Sequence, residues 1–119
     1  MKSIVAEKSL AFAIRVVNAY KYLKDQRKEF VLSKQLLRSG TAIGALIKEA
    51  EHAQSKADFM NKMNIALKEA NETEYWLLLL RSTDYMKKEE FESLNAECSE
   101  ILKLLISIVR TTKKKLGRG

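Results

Sequence analysis

The sequence predicts an all-α protein, an up-down-up-down antiparallel four-helix bundle forming one domain over residues 1–119. Three observations lead there. The chain has no proline and only 4 glycines, so little in it interrupts a helix. Apolar residues recur at steps of three and four along four separate stretches, the period of a buried helical face. The polar breaks between those stretches are short, and short connections make consecutive helices antiparallel neighbours. A chain of 119 residues sits within the roughly 100–200 residues of a single domain and buries about two-thirds of its unfolded surface.

The first helix is expected over about 3–25, with Ser3 as its N-cap because a serine oxygen can accept from an unpaired first-turn amide. Leu10, Ala13, Ile14, Val17 and Tyr20 mark its main face, which Phe12, Val16 and Leu23 widen. The string Asp25-Gln26-Arg27-Lys28-Glu29 ends it without a turn glycine. The second helix is expected over 33–52, with Ser33 as N-cap and Leu36, Gly40, Ile43, Ile47 and Ala50 on one stripe. Gly40 and Gly44 each cost roughly 1 kcal/mol relative to alanine in a helix. Close approach by another helix offsets that cost, so both are candidate interface residues.

The third helix is expected over 56–81, entered through the box-like Ser55-x-x-Asp58. Its seam is Phe59, Met63, Ala66, Ala70, Thr73, Leu77 and Leu80, alternating four and three. The fourth is expected over 88–113, with the seam Phe91, Leu94, Cys98, Ile101, Leu105 and Ile108 and a frayed basic tail at 114–119. Tyr75 and Trp76 are adjacent, so they point about 100° apart. They are candidate interface residues, Trp76 at a subunit contact or a groove between helices.

Composition narrows function. No stretch approaches the ~18 apolar residues of a membrane span. Charges interrupt the N-terminal apolar run, unlike a secretory signal, and the one cysteine excludes an internal disulfide. A cytoplasmic protein is expected. Metal and catalytic chemistry lack their residues. Glu49-Ala50-Glu51-His52 holds one half of a bundle metal motif, but His52 is the only histidine. Glu69, Glu72 and Glu74 have no nucleophile beside them, and Cys98 lies on an apolar seam as a small core residue. No enzyme activity, cofactor or metal is expected.

The net charge is +7. Arg110, Lys113, Lys114, Lys115 and Arg118 carry five of those charges with no acid among them, leaving +2 for the rest (7 − 5). Such a run can bind polyanions or complement the dipole at a helix end. With Lys34, Arg38 and Lys48 of the second helix, Arg110, Lys113, Lys114 and Lys115 are the nucleic-acid-binding candidates.

Several motifs then fall in a familiar order: Lys8-Ser9-x-x-Phe12-Ala13, Leu32-Ser33-x-Gln35-Leu36-x-Arg38-Ser39, Ser55-x-x-Asp58-Phe59 and Ile65-Ala66-Leu67-x-Glu69-Ala70-x-Glu72-x-Glu74. In their order and spacing the chain resembles the bacterial four-helix-bundle proteins encoded in intervening sequences of large-subunit ribosomal RNA genes. That family includes accessory variability proteins of diversity-generating retroelements. The resemblance implies a homo-oligomer, a pentamer, with affinity for RNA or DNA and a reverse transcriptase as partner. Many relatives carry asparagine where this chain has Leu46, so a polar role there does not carry over. Two functions follow as expectations: a non-catalytic, sequence-nonspecific nucleic-acid-binding oligomer, or a protein-interaction scaffold or accessory subunit without nucleic-acid contact.

Overall fold

The structure, a computed structural model, describes residues 3–117. Four helices account for almost all of them: α1 Ile4–Asp25, α2 Leu32–Glu51, α3 Lys56–Ser82 and α4 Lys88–Gly117. Contacts between helices fix their directions. Gly40 lies against Val16 and Gly44 against Ser9, so α1 and α2 run oppositely. Arg38 reaches Glu72 while Lys62 reaches Glu49, reversing α3 against α2. Arg15 pairs with Glu97 and Lys8 with Glu100, which brings α4 back beside α1. The expected up-down-up-down bundle is the observed one, 52 × 23 × 21 Å in extent. Successive helices pack closely, α1 meets α4 least closely, and two clefts lie along that last side. No helix among the described residues is long and apolar enough to cross a membrane.

The α2 stripe is buried throughout. In α3 Met63 through Leu80 are buried in the expected rhythm and Phe59 is half-buried. Leu94, Cys98, Ile101 and Leu105 of α4 enter the core, flanked by half-buried Phe91 and Ile108. The α1 face is a correction. Its core residues are Val5, Ser9, Phe12, Val16, Ala19 and Leu23, spaced alternately four and three. Leu10 and Ile14, expected at the centre of the buried face, are 64% and 56% exposed. The true seam includes Ser9, whose hydroxyl satisfies itself by donating to the Ala6 carbonyl at 3.0 Å. A polar residue at a core position hid that face, while apolar residues on the outward side imitated it.

The glycines account for the close α1–α2 contact. A Cβ at Gly40 would lie 2.8 and 2.9 Å from the two Val16 methyls, while one at Gly44 would sit 3.3 Å from the Ser9 hydroxyl. Val16 is branched and fully buried, so it cannot turn aside. Gly40→Ala therefore lowers stability by about 1 kcal/mol, overpacking of about 1–3 kcal/mol outweighing the gain in helix propensity. Adding Val16→Ala to Gly40→Ala makes the loss smaller than the sum of the two single losses. Urea unfolding of the four proteins measures the cycle; simple additivity would refute the contact.

Two helix ends match the sequence reading and two differ from it. Ser3 and Ser55 cap α1 and α3 as expected, accepting from Ala6 N–H at 3.3 Å and Asp58 N–H at 3.0 Å. Ser33 is not the cap of α2. Its helix begins at Leu32, and the orphan amides of Val31, Leu32 and Ser33 donate to the Glu29 carboxylate at 3.2, 3.1 and 2.6 Å. Lys28, at φ 55°, takes the left-handed conformation just before Glu29, whose carboxylate reaches forward to those amides. The frayed tail is likewise corrected: α4 stays helical to Gly117. Lys113, Lys114 and Lys115 are good helix formers, sit where cations stabilise a helix C-terminus, and meet no breaker. Arg118 and Gly119 lie outside the described residues.

Candidate nucleic-acid interface

The basic residues singled out in the sequence do not converge on one surface. Lys34 and Lys48 are exposed at opposite ends of α2, about 21 Å apart at 1.5 Å per residue. Arg38, between them, is occupied. Its guanidinium donates to Glu69 at 3.2 Å and to Glu72 at 2.5 Å across the α2–α3 seam. The Glu72 hydrogen bond, assisted by Glu69, raises the guanidinium above its ordinary value. Arg38 in turn holds the Glu72 carboxyl below the usual carboxylate range, against the opposing effect of burial. Arg38 therefore meets two carboxylates, which offset its charge.

This cluster has a pH signature. The folded value of Glu72 lies below its unfolded value near 4.3. Its contribution to stability is thus complete above that unfolded value and disappears as pH falls through the folded one. Thermal melts from pH 7 to pH 3 should show native protein more stable than Arg38→Gln at pH 7, with the gap closing below about pH 4. A gap constant over that range contradicts the ion-pair account.

α4 is polarised along its length. Glu89, Glu90, Glu92, Glu97 and Glu100 occupy its first half, and after Glu100 no acid follows. Lys103, Arg110, Lys113, Lys114 and Lys115 occupy the second half, and all five are exposed. Steps of seven and eleven residues return to within about 20° of the same direction at 100° per residue. Lys103, Arg110 and Lys114 therefore form one straight stripe. The Cys98 thiol lies 3.4 Å from the Ala70 carbonyl. Counting back along α3 and forward along α4 from that pair brings exposed Lys56 level with Thr112. Beyond Thr112, α4 outlasts α3, so this end of the bundle is a projecting basic rod with Lys56 at its base. Neither Lys56 nor Lys103 stood out in the sequence: one opens a mixed-charge helix and the other interrupts an apolar run. The absence of acid after Glu100 was the available signal.

The other sequence candidates have local roles. Gly40 and Gly44 face α1 of the same chain. Tyr75 is 57% exposed and Trp76 is half-buried against the core, the two rings meeting edge-on at 5.2 Å. The Trp76 indole N–H is buried without a hydrogen bond of normal geometry, although it adds a little to the lowering of Glu72. Burial pushes the Cys98 thiol up to about 12, so at neutral pH it is a protonated core group rather than a nucleophile. His52 is exposed at the end of α2. Among the described residues no three His, Cys, Asp or Glu side chains gather as a metal site would.

Comparison with known proteins adds two findings. A family model described as "23S rRNA-intervening sequence protein" matches residues 1–107. The chain is also similar to a crystal structure from Bacteroides thetaiotaomicron, described as a protein with unknown function from the S23 ribosomal protein family. The two are 65% identical, the match covers 89% of this chain and 98% of the other, and the TM-score is 0.88. No curated protein matches the chain. Arg110 and the three lysines that follow lie beyond the residues matched by the family model.

Proposed function

The chain belongs to the 23S rRNA-intervening sequence protein family, and from that premise we propose that it acts without catalysis as an oligomer that binds RNA or DNA through the C-terminal half of α4. The observation carrying this reading is the stripe Lys103, Arg110 and Lys114 on a helix end that has no acid after Glu100. Lys113, Lys115 and Lys56 flank it. Backbone phosphates would meet several cations at once, releasing counterions and giving affinity without sequence preference. Arg38 takes no part, since Glu69 and Glu72 already engage it. Electrophoretic shift of single-stranded RNA and duplex DNA at rising salt tests the proposal. Binding that weakens steeply with salt and is indifferent to sequence supports it, and no shift at low salt defeats it.

Self-assembly is supported by α1. Ile4, Leu10 and Ile14 are 64%, 64% and 56% exposed, and Leu10 also borders a groove floored by Ala13, Gly44 and Ala45. Large apolar side chains on an outward helix face are suited to burial against another copy. A cytoplasmic location rests on the composition, while a reverse-transcriptase partner and a count of five subunits rest on the family resemblance. Light scattering after gel filtration measures that count, and a monomer at micromolar concentration refutes assembly.

A further inference from the structure

A cleft left without a role lies at the opposite end of the bundle. There the last turns of α1, the α3–α4 turn and the start of α4 enclose a cleft of about 320 Å³, within the usual size of a small-ligand site. Its floor is apolar and buried: Ala19, Leu23 and Met86. Its walls hold the rings of Tyr22 and Tyr85, and Asn18, Lys87 and Glu90 stand at its rim. Tyr22 is 44% exposed.

The wall carrying Tyr85 is built rather than incidental. Asp84, at φ 67°, closes α3 in a left-handed cap, with Tyr85 N–H donating to the Leu80 carbonyl at 2.9 Å. Arg27 reaches over from the α1–α2 loop and donates to the carbonyls of Asp84 and Tyr85 at 3.1 and 3.0 Å. The same guanidinium stacks on the Tyr85 ring, 5.1 Å from its centroid. Arg81 donates to the Met86 carbonyl at 3.3 Å. The short turn is thus held from two other elements, and the ring it carries is fixed before any ligand arrives.

From these groups we infer that the cleft binds a nucleotide unit, a planar base stacked at Tyr22 and Tyr85 with its phosphate drawn to Lys87. Aromatic side chains accept any base through its π-face. The Asn18 amide and the Glu90 carboxylate supply an acceptor and donor set for a base edge. Arg15 lies 3.6 Å from Glu90 and 2.5 Å from Glu97, which turns part of the Glu90 charge away from the cleft and leaves Lys87 as the cation lining it. The unit could be a free mononucleotide or one unpaired base of a bound strand. Only the second source rests on the nucleic-acid reading above.

Calorimetric titration of the full-length protein with AMP and CMP, and with ribose 5-phosphate as a base-free control, separates these cases. A parallel arm uses a short oligoadenylate and an abasic oligomer of equal charge. Tyr22→Ala should weaken base-dependent binding at least tenfold and Tyr22→Phe less than threefold, with the salt slope of strand binding unchanged. Loss seen with AMP identifies a free nucleotide, and loss seen only with the oligoadenylate identifies a strand. Lys87→Gln, at an exposed position, gives an independent reading, since it should weaken AMP and leave adenosine, which has no phosphate, unchanged. Equal binding of base-free and base-bearing ligands, or no effect of either variant, overturns the site. A change of oligomeric state in Tyr22→Ala without change in ligand binding overturns it too, in favour of a contact between copies. Failure of the α4 stripe would leave the mononucleotide result standing, so the two proposals fail separately.

Discussion

Replacing Lys103, Arg110 and Lys114 together with glutamine should lower affinity for single-stranded RNA about 100-fold at low salt. The slope of log affinity against log salt should flatten by about 2, since each lost phosphate contact removes roughly 0.7 on a single strand. All three side chains are exposed, so circular dichroism and melting temperature should change little. The control is a triple change at Lys21, Lys34 and Lys68, which are equally exposed and cationic but lie away from the projecting end of α4. Filter binding across a salt series reads both. If the two triple variants lose affinity equally, the protein offers only a diffuse positive field and the stripe has no special standing. Lys113→Gln alone, off the stripe by about 80° at the helical angle, should cost less than Lys114→Gln.

Removing the Glu29 side chain is the change expected to damage the fold most for its size. Glu29 is 8% exposed and its carboxylate takes three amides at the start of α2, that of Ser33 fully buried. Hydrogen bonds to a charged group contribute about 1.5–3 kcal/mol each, and buried amides left unpaired cost comparably. With some rehydration of the opened end, Glu29→Ala should destabilise the protein by about 2–4 kcal/mol. Ser33→Ala should cost only about 1 kcal/mol, because that hydroxyl donates to the Glu29 carbonyl at 2.6 Å rather than accepting from the helix. Had Ser33 been the cap, the order would be reversed. Urea melts of the two variants decide between these accounts.

Those two residues show what spacing in a sequence can and cannot convey. The α3 seam was legible because its buried positions are apolar or small in an unbroken four-three rhythm, and the α4 seam for the same reason. The start of α2 was not. Its cap is a glutamate lying before the helix, just after a left-handed Lys28 that no glycine announces. The α1 face was hidden by Ser9, a polar residue that the core accepts because its hydroxyl bonds its own helix. Arg38 read as a polar contact first and a nucleic-acid candidate second, and the acids that hold it were not legible because Glu69 and Glu72 belong to another helix. The basic run from Arg110 was visible in the composition. Its alignment with Lys103 depended on α4 staying helical to its end, which the expected fraying would have denied.

The loose side of the bundle sets the order in which the molecule comes apart. Three of its four seams are tight, so the fold is in effect a strip of four helices rolled until its two edges, α1 and α4, touch. At the surface that closing seam is held by ion pairs of Arg15 with Glu90 and Glu97 and of Lys8 with Glu100, and clefts lie along it. Exposed pairs of this kind are weakened by salt, while the Val16–Gly40 contact on the other flank of α1 is indifferent to it. The first sub-global opening is therefore an unrolling along α1–α4, with α1 still attached to α2. Amides on the α4-facing side of α1 should lose protection against hydrogen exchange sooner as salt rises, ahead of those that face α2.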